Sequence, residues 1–357
     1  RFNGGLLSTI SYIFLFYAFA TNILTTDKEE SLKKTYKMLF AAVVSAVLVS
    51  LWGLPSRFGY DPTCLVFRGS FDVACWTEAF QPKIRMFSTL GQPNWLATFL
   101  AILIPITVAF SINEFRKIKK LELNSSLILA IVYSLFSILF YLDMGWSLSQ
   151  SGFIGFWAGN ILFCCLFALL IFRKNNFSIV KTIKQRAFIA LLVIQIIFLS
   201  TTFLTVNPIP QLRKYSLISI TNQLSQSENE TANTDKKNVA EPVQPAQSTQ
   251  PALEAGITGS GEIRKIVWKG AIEIFKANPL FGTGVETYAF AYYKYRPLEH
   301  NLTSEWDYLY NKAHNEFLNY LATTGALGLG TYLLFIGMFV FFSLKHMFFQ
   351  FKRGVVG

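Results

Sequence analysis

The sequence predicts an all-α polytopic membrane protein: a transmembrane helix bundle with a large extracytoplasmic loop that contains short helices. Three observations carry this. Of the 357 residues, 52% are hydrophobic and only 15% are charged, where soluble domains average about 25% charged. The apolar residues are gathered into blocks of roughly the 20 residues needed to cross hydrocarbon as a helix. The net charge of +11 falls entirely on one side of the alternation those blocks create.

In chain order the spans read as 6–24, 38–54, 94–112, 126–142, 152–172, 187–206 and 321–344. Lipid satisfies no backbone hydrogen bonds, so each span must be a helix or part of a closed barrel. A barrel would show alternating polarity, which runs such as Met38–Ser50 lack. The chain opens on Arg1-Phe2, without Met or a signal-peptide pattern, and is expected to be a fragment of a longer membrane protein.

Short loops rich in Lys and Arg stay in the cytoplasm. Segments 25–37, 113–124, 173–186 and the tail after 344 hold 16 basic and 5 acidic residues, and the outer remainder is neutral. The basic excess is thus a topology signal, and nucleic acid is not expected as a partner. Three segments are then expected outside: 55–93, 143–151 and 207–320. The first carries Cys64 and Cys75, a disulfide candidate in that compartment. Cys164 and Cys165, inside a span, read as packing residues. The expected organisation is a bundle over 1–206, a large loop over 207–320, and a last helix with a cytoplasmic tail over 321–357.

Within the large loop, 225–256 is rich in Gln, Ser, Thr, Asn, Pro and Glu, and is expected to be a disordered insert. An amphipathic helix should follow. Ile263, Ile266, Val267, Ala271, Ile274 and Phe275 form its apolar stripe, with Ser260 as a candidate N-cap and Asn278-Pro279 as the stop. The turn Pro279–Gly284 lacks the Lys-Ser/Thr of a phosphate loop. Tyr288, Tyr292, Tyr293, Tyr295, Trp306, Tyr308 and Tyr310 read first as interfacial anchors, with sugar stacking as the alternative. His314 is expected at a helix N-terminus on the outer face. There the helix dipole favours a neutral ring able to accept a proton, beside N–H groups open to an anion. His300 and the Glu305/Asp307 pair show no partner or metal-ligand pattern.

The runs Ala313–Ile336 (AHNEFLNYLATTGALGLGTYLLFI), Arg264–Tyr288 (RKIVWKGAIEIFKANPLFGTGVETY) and Arg85–Pro105 (RMFSTLGQPNWLATFLAILIP) resemble the O-antigen ligase and O-antigen polymerase superfamily, in the right order. The resemblance implies a GT-C-type bundle. It also implies a membrane glycosyltransferase that moves a glycan from a polyprenyl-diphosphate carrier to an acceptor hydroxyl on the outer face of a bacterial inner membrane. Inversion at the sugar carbon, and neither metal nor cofactor, are expected with it. The partners would be the polyprenyl-diphosphate-linked glycan, a glycan, lipid or protein acceptor, and membrane lipids. Carried over by motif, His314 would serve the acceptor as catalytic base. Arg264 and Arg85, with Arg296 beside them, would bind the diphosphate or glycan. The sequence departs from the family where a Ser-Arg pair often enters a span: it reads Ser149-Gln150-Ser151-Gly152. Ligase, polymerase and protein O-oligosaccharyltransferase stay open. A transporter would instead show ionisable residues along its spans, and a non-catalytic scaffold would tolerate loss of His314.

Overall fold

A computed structural model describes residues 6–24, 27–77, 80–118, 124–174, 178, 185–204 and 260–352. The expected disordered insert at 225–256 lies outside these. Six helices among the described residues are long and apolar enough to cross a membrane. The chain divides into two compact units, 26–239 and 1–25 together with 240–357, taken here one at a time.

The first unit is a helical bundle: α2 (Lys28–Arg57), a short α3 (Pro62–Arg68), α4 (Pro93–Lys117), α5 (Ser125–Trp146), α6 (Gln150–Lys174) and α7 (Arg186–Leu204). Helix α4 is its axis and packs against α2, α5, α6 and α7. It is the most enclosed span, with Leu96, Ala97, Leu100, Ile104 and Val108 all at 1% exposure or less. Lipid is as apolar as leucine, so close packing and interhelical hydrogen bonds hold such helices together, the latter worth about 0.6 kcal/mol each on average. Such hydrogen bonds join the helices here. Ser111 Oγ donates to the Ala130 carbonyl (2.9 Å), Tyr141 and Thr202 share one (2.5 Å), and Asn160 donates to Gln195 (2.6 Å). Helices α4 and α6 meet through small residues: a Cβ on Gly152 would lie 2.4 Å from that of Ala97.

Several boundaries differ from expectation. The predicted inner loop 25–37 is largely the start of α2, because Asp27 caps it by accepting from the Glu29 N–H (2.9 Å). The predicted outer segment 143–151 contracts to 147–149, between α5 and α6. Ser149 Oγ accepts from the Gly152 N–H (3.2 Å) as α6 begins. Asp143 therefore sits in the last turn of α5, fully buried and facing the equally buried Ser50. Between α2 and α4, Cys64 and Cys75 form a disulfide with Cα atoms 5.4 Å apart. Asp61 ties the same loop by capping α3 at Thr63 and accepting from Trp76 Nε1.

The second unit contains α1 (Leu6–Asn22), α8 (Ser260–Ala277), α9 (Tyr288–Tyr295), a 3₁₀ turn at Leu298–Leu302, and α10 (Glu316–Lys352). Helix α1 covers the first predicted span with 17 residues, shorter than the six full-length spans. The expected stripe of α8 is buried at Ile263, Val267, Ala271 and Ile274. It forms a core with Tyr288, Tyr292, Tyr310, Ala313 and Ala322.

Helix α10 begins before the predicted 321 and breaks at Gly325, whose φ is 67°. The turn after α8 repairs the break. The N–H groups of Ala326 and Leu327 donate to the carbonyls of Pro279 and Leu280 (2.8 and 3.3 Å). In return, Thr283 and Gly284 donate to the carbonyls of Ala322 and Thr323 (3.2 and 2.8 Å). A break in an apolar helix is tolerated only where protein satisfies the freed groups. The approach is backbone to backbone: a Cβ on Gly282 would fall 2.3 Å from the Thr323 carbonyl carbon, and one on Gly325 2.3 Å from the Leu280 oxygen. The paired glycines of Pro279–Gly284 are thus a seat for a broken helix.

Candidate functional site

The site is built on α8, α10 and the loop between them. Ala313 is fixed at both ends: its N–H donates to Asn319 Oδ1 (3.3 Å) and its carbonyl accepts from Trp268 Nε1 (3.0 Å). Asn315 caps α10 by accepting from the Leu318 N–H (3.2 Å). Between these anchors His314 is held at φ 52°. A left-handed backbone at a non-glycine residue persists only where its surroundings impose it, and such positions cluster at functional sites.

His314 is exposed, yet its pKa is lowered from the ordinary histidine value. Crowding by surrounding protein acts first, then the positive charge of Arg264 on α8; Glu305 pulls the other way and Lys312 adds to the lowering. A neutral ring at pH 7 follows. His314 and Arg264 thus act on each other electrostatically, as an acceptor-side base and a diphosphate-side cation would. Arg264 itself is exposed.

Beneath His314 lies a cluster that the sequence did not disclose. The Tyr310 ring stands perpendicular to the His314 ring, centroids 5.7 Å apart. Tyr310 Oη donates to Glu305 Oε2. His300 is fully buried, between Tyr292 Oη at Nδ1 (2.6 Å) and the Glu305 carbonyl at Nε2 (3.0 Å). A carbonyl only accepts, so Nε2 carries the proton and Nδ1 accepts from Tyr292. Burial lowers the His300 pKa, with Arg296 adding to the lowering and Glu305 opposing it, which keeps this tautomer neutral. Burial likewise raises the Tyr292 and Tyr310 phenols.

The anchor reading of the tyrosines is corrected in part. Tyr288, Tyr292 and Tyr310 are core residues, while Tyr293 and Tyr308 are exposed. The reason is Gly270, which lets the Tyr292 ring lie against α8 where a Cβ would come within 2.4 Å. Tyr288 Oη donates to the Val267 carbonyl (3.1 Å). His300 and Glu305, which show no partner pattern in the sequence, are partners in one network. The signal available was their place between Tyr292 and Tyr310; the pairing itself depends on a turn that the sequence pattern does not specify.

Arg296 is half-buried and donates to the Trp306 carbonyl (2.8 Å), in the same unit as His314 and Arg264. It also borders an open groove of about 640 Å³ with Lys269, Lys276 and Lys294. Arg85 belongs to the bundle unit. Its Nε donates to the Ser147 carbonyl (3.3 Å) and the Met86 N–H to that of Trp146 (3.1 Å). The guanidinium therefore lies on the 147–149 loop, at Ser147. Among the described residues, no three His, Cys, Asp or Glu side chains gather as around a metal ion.

The family model described as O-antigen ligase matches residues 134–333. This range takes in the 147–149 loop, Arg264, the Gly282–Gly325 seat and His314. No curated protein and no solved structure matches the chain. With more than half of its length matched to that family and six apolar helices of spanning length, the chain belongs to the O-antigen ligase family of multi-pass membrane glycosyltransferases.

Proposed function

We propose that this chain transfers a glycan from a polyprenyl-diphosphate carrier to an acceptor hydroxyl on the outer face of a bacterial inner membrane. In this reading the large loop faces outward and the Lys- and Arg-rich segments face the cytoplasm. His314 takes the proton from the acceptor hydroxyl, whose oxygen attacks the anomeric carbon. The bond from that carbon to the diphosphate breaks with inversion, and the polyprenyl diphosphate departs with the electron pair. Arg264 and Arg296 stabilise its negative charge, since a guanidinium stays ionised and can engage phosphate oxygens in pairs. The chemistry asks for no metal.

The observation that carries this reading is His314. It is held in a left-handed backbone between two pinned neighbours, and its pKa is lowered by crowding and by Arg264. A proton acceptor beside a permanent cation matches an acceptor hydroxyl attacking a sugar diphosphate. A well-placed base contributes about 10²–10⁴-fold to rate.

The test is glycan transfer in membranes from a polyprenyl-diphosphate donor, with acceptors of lipid, glycan and protein type offered separately. The acceptor that is consumed decides between ligase, polymerase and protein transferase. A strict dependence on added divalent cation would contradict the arginine-based account. Asp143, buried within a span, bears on transport instead. Ion or solute flux that vanishes in Asp143→Asn, with no transfer activity, would favour that reading.

A further inference from the structure

Glu305 has no part in the chemistry so far. Three observations tie it to His314. Its backbone carbonyl is fixed by the buried His300, which Tyr292 fixes in turn. Its carboxylate accepts the Tyr310 hydroxyl, and Tyr310 is the ring that stands against His314. Its negative charge opposes the positive charges of Arg264 and Lys312 at the His314 ring. We propose that Glu305 is a positioning residue for His314: His300 fixes its backbone and Tyr310 its carboxylate where that carboxylate balances the imidazolium formed when His314 takes a proton.

The arrangement has a physical logic. His314 accepts a proton beside Arg264, a permanent cation, so imidazolium formation there is opposed by like charge. A base weakened too far accepts protons poorly, because the rate follows base strength. A carboxylate on the other side restores part of that strength. It must not swing away: Tyr310 holds the carboxylate, and His300 holds the backbone it hangs from. The charged or titratable groups acting on His314 are Arg264 from α8, Lys312 from its own loop, and Glu305 from the segment after the 3₁₀ turn. Tyr310 packs against it as a neutral phenol, its ionisation suppressed by burial. The alternative is that the Glu305–Tyr310 hydrogen bond merely closes the loop.

This inference rests on His314 being the proton acceptor, and its test separates the two claims. Diethyl pyrocarbonate modifies neutral imidazole, so its rate at His314, followed by peptide mass spectrometry on the membrane-embedded protein, reports the titration directly. Glu305→Gln keeps an acceptor for Tyr310 and removes only the charge. Its His314 midpoint should fall by about 0.5 pH unit or more. Lys312→Gln, at an exposed side chain, should move the midpoint upward. Tyr310→Phe, which releases the carboxylate, should shift it down by less than Glu305→Gln. In transfer assays Glu305→Gln should lower kcat by about three- to ten-fold and leave KM unchanged. If Glu305→Gln loses the fold, Tyr310→Phe and Lys312→Gln carry the test by opposite shifts. If the midpoint in Glu305→Gln stays at the wild-type value, the proposal is overturned and the hydrogen bond is structural. If midpoints shift as stated but the wild type transfers nothing, the positioning holds and the transferase reading fails.

Discussion

Replacing Gly282 by alanine tests the seat that holds α10 in place. The residue has φ +67°, and its new Cβ would lie 2.3 Å from the Thr323 carbonyl carbon and 2.5 Å from the Thr324 nitrogen. The left-handed conformation alone costs an L-residue about 1–2 kcal/mol. Backbone cannot rotate aside as a side chain can, so the turn must lift from α10. Four backbone hydrogen bonds cross that seam, from Thr283, Gly284, Ala326 and Leu327, each worth about 1 kcal/mol net. Loss of half of them together with the conformational strain gives a destabilisation of about 3–4 kcal/mol. Equilibrium unfolding of the purified protein in mixed micelles measures it. Gly261→Ala is the control, because nothing lies within 4 Å of its Cβ position and alanine favours a helix. A change below about 1 kcal/mol for Gly282→Ala would refute the backbone-to-backbone seat.

Two pH effects follow. The His314 pKa lies below its ordinary value, so the base is already neutral at pH 7; transfer should be flat near neutrality and fall only below about pH 6.5. An acid limb centred above that value would contradict a depressed His314. His300 is also depressed, by burial. Its contribution to stability is therefore complete above the unfolded-state value of about 6.5 and is lost as pH falls toward its folded value. His300→Gln, able to donate to the Glu305 carbonyl and accept from Tyr292, should flatten the acid dependence of unfolding. An unchanged slope in that variant would mean that other groups cause it.

The sequence was most legible where one physical requirement acted alone. The need for roughly 20 apolar residues per span located the six spanning helices among the described residues, and the period of α8 identified the face buried at Ile263, Val267, Ala271 and Ile274. Edges were lost where capping competed with hydropathy. Asp27 starts α2 among lysines and glutamates, and Asn315 starts α10 ahead of its apolar run. The seat between Gly282 and Gly325 joins segments far apart in the chain, so neither half reveals the other. The tyrosines misled for a related reason. A Tyr beside a membrane is equally suited to the interface and to a core with one hydroxyl partner, and Gly270 decides the matter for Tyr292 from a different helix. His300, Glu305 and Tyr310 meet only because the 3₁₀ turn at Leu298–Leu302 and the following loop fold back. Asp143 fell on the wrong side of a boundary: an acid near a span end reads as loop, whereas α5 continues past it and buries it.

The central claim is that His314 accepts the proton of an attacking hydroxyl while Arg264 faces the departing diphosphate. The measurement that tests it most directly is transfer from a polyprenyl-diphosphate glycan, comparing wild type with His314→Ala and Arg264→Ala at equal membrane levels. The account predicts a working wild type, a loss of about 10²-fold or more in kcat for His314→Ala, and a comparable loss for Arg264→Ala. Full activity in His314→Ala would contradict it.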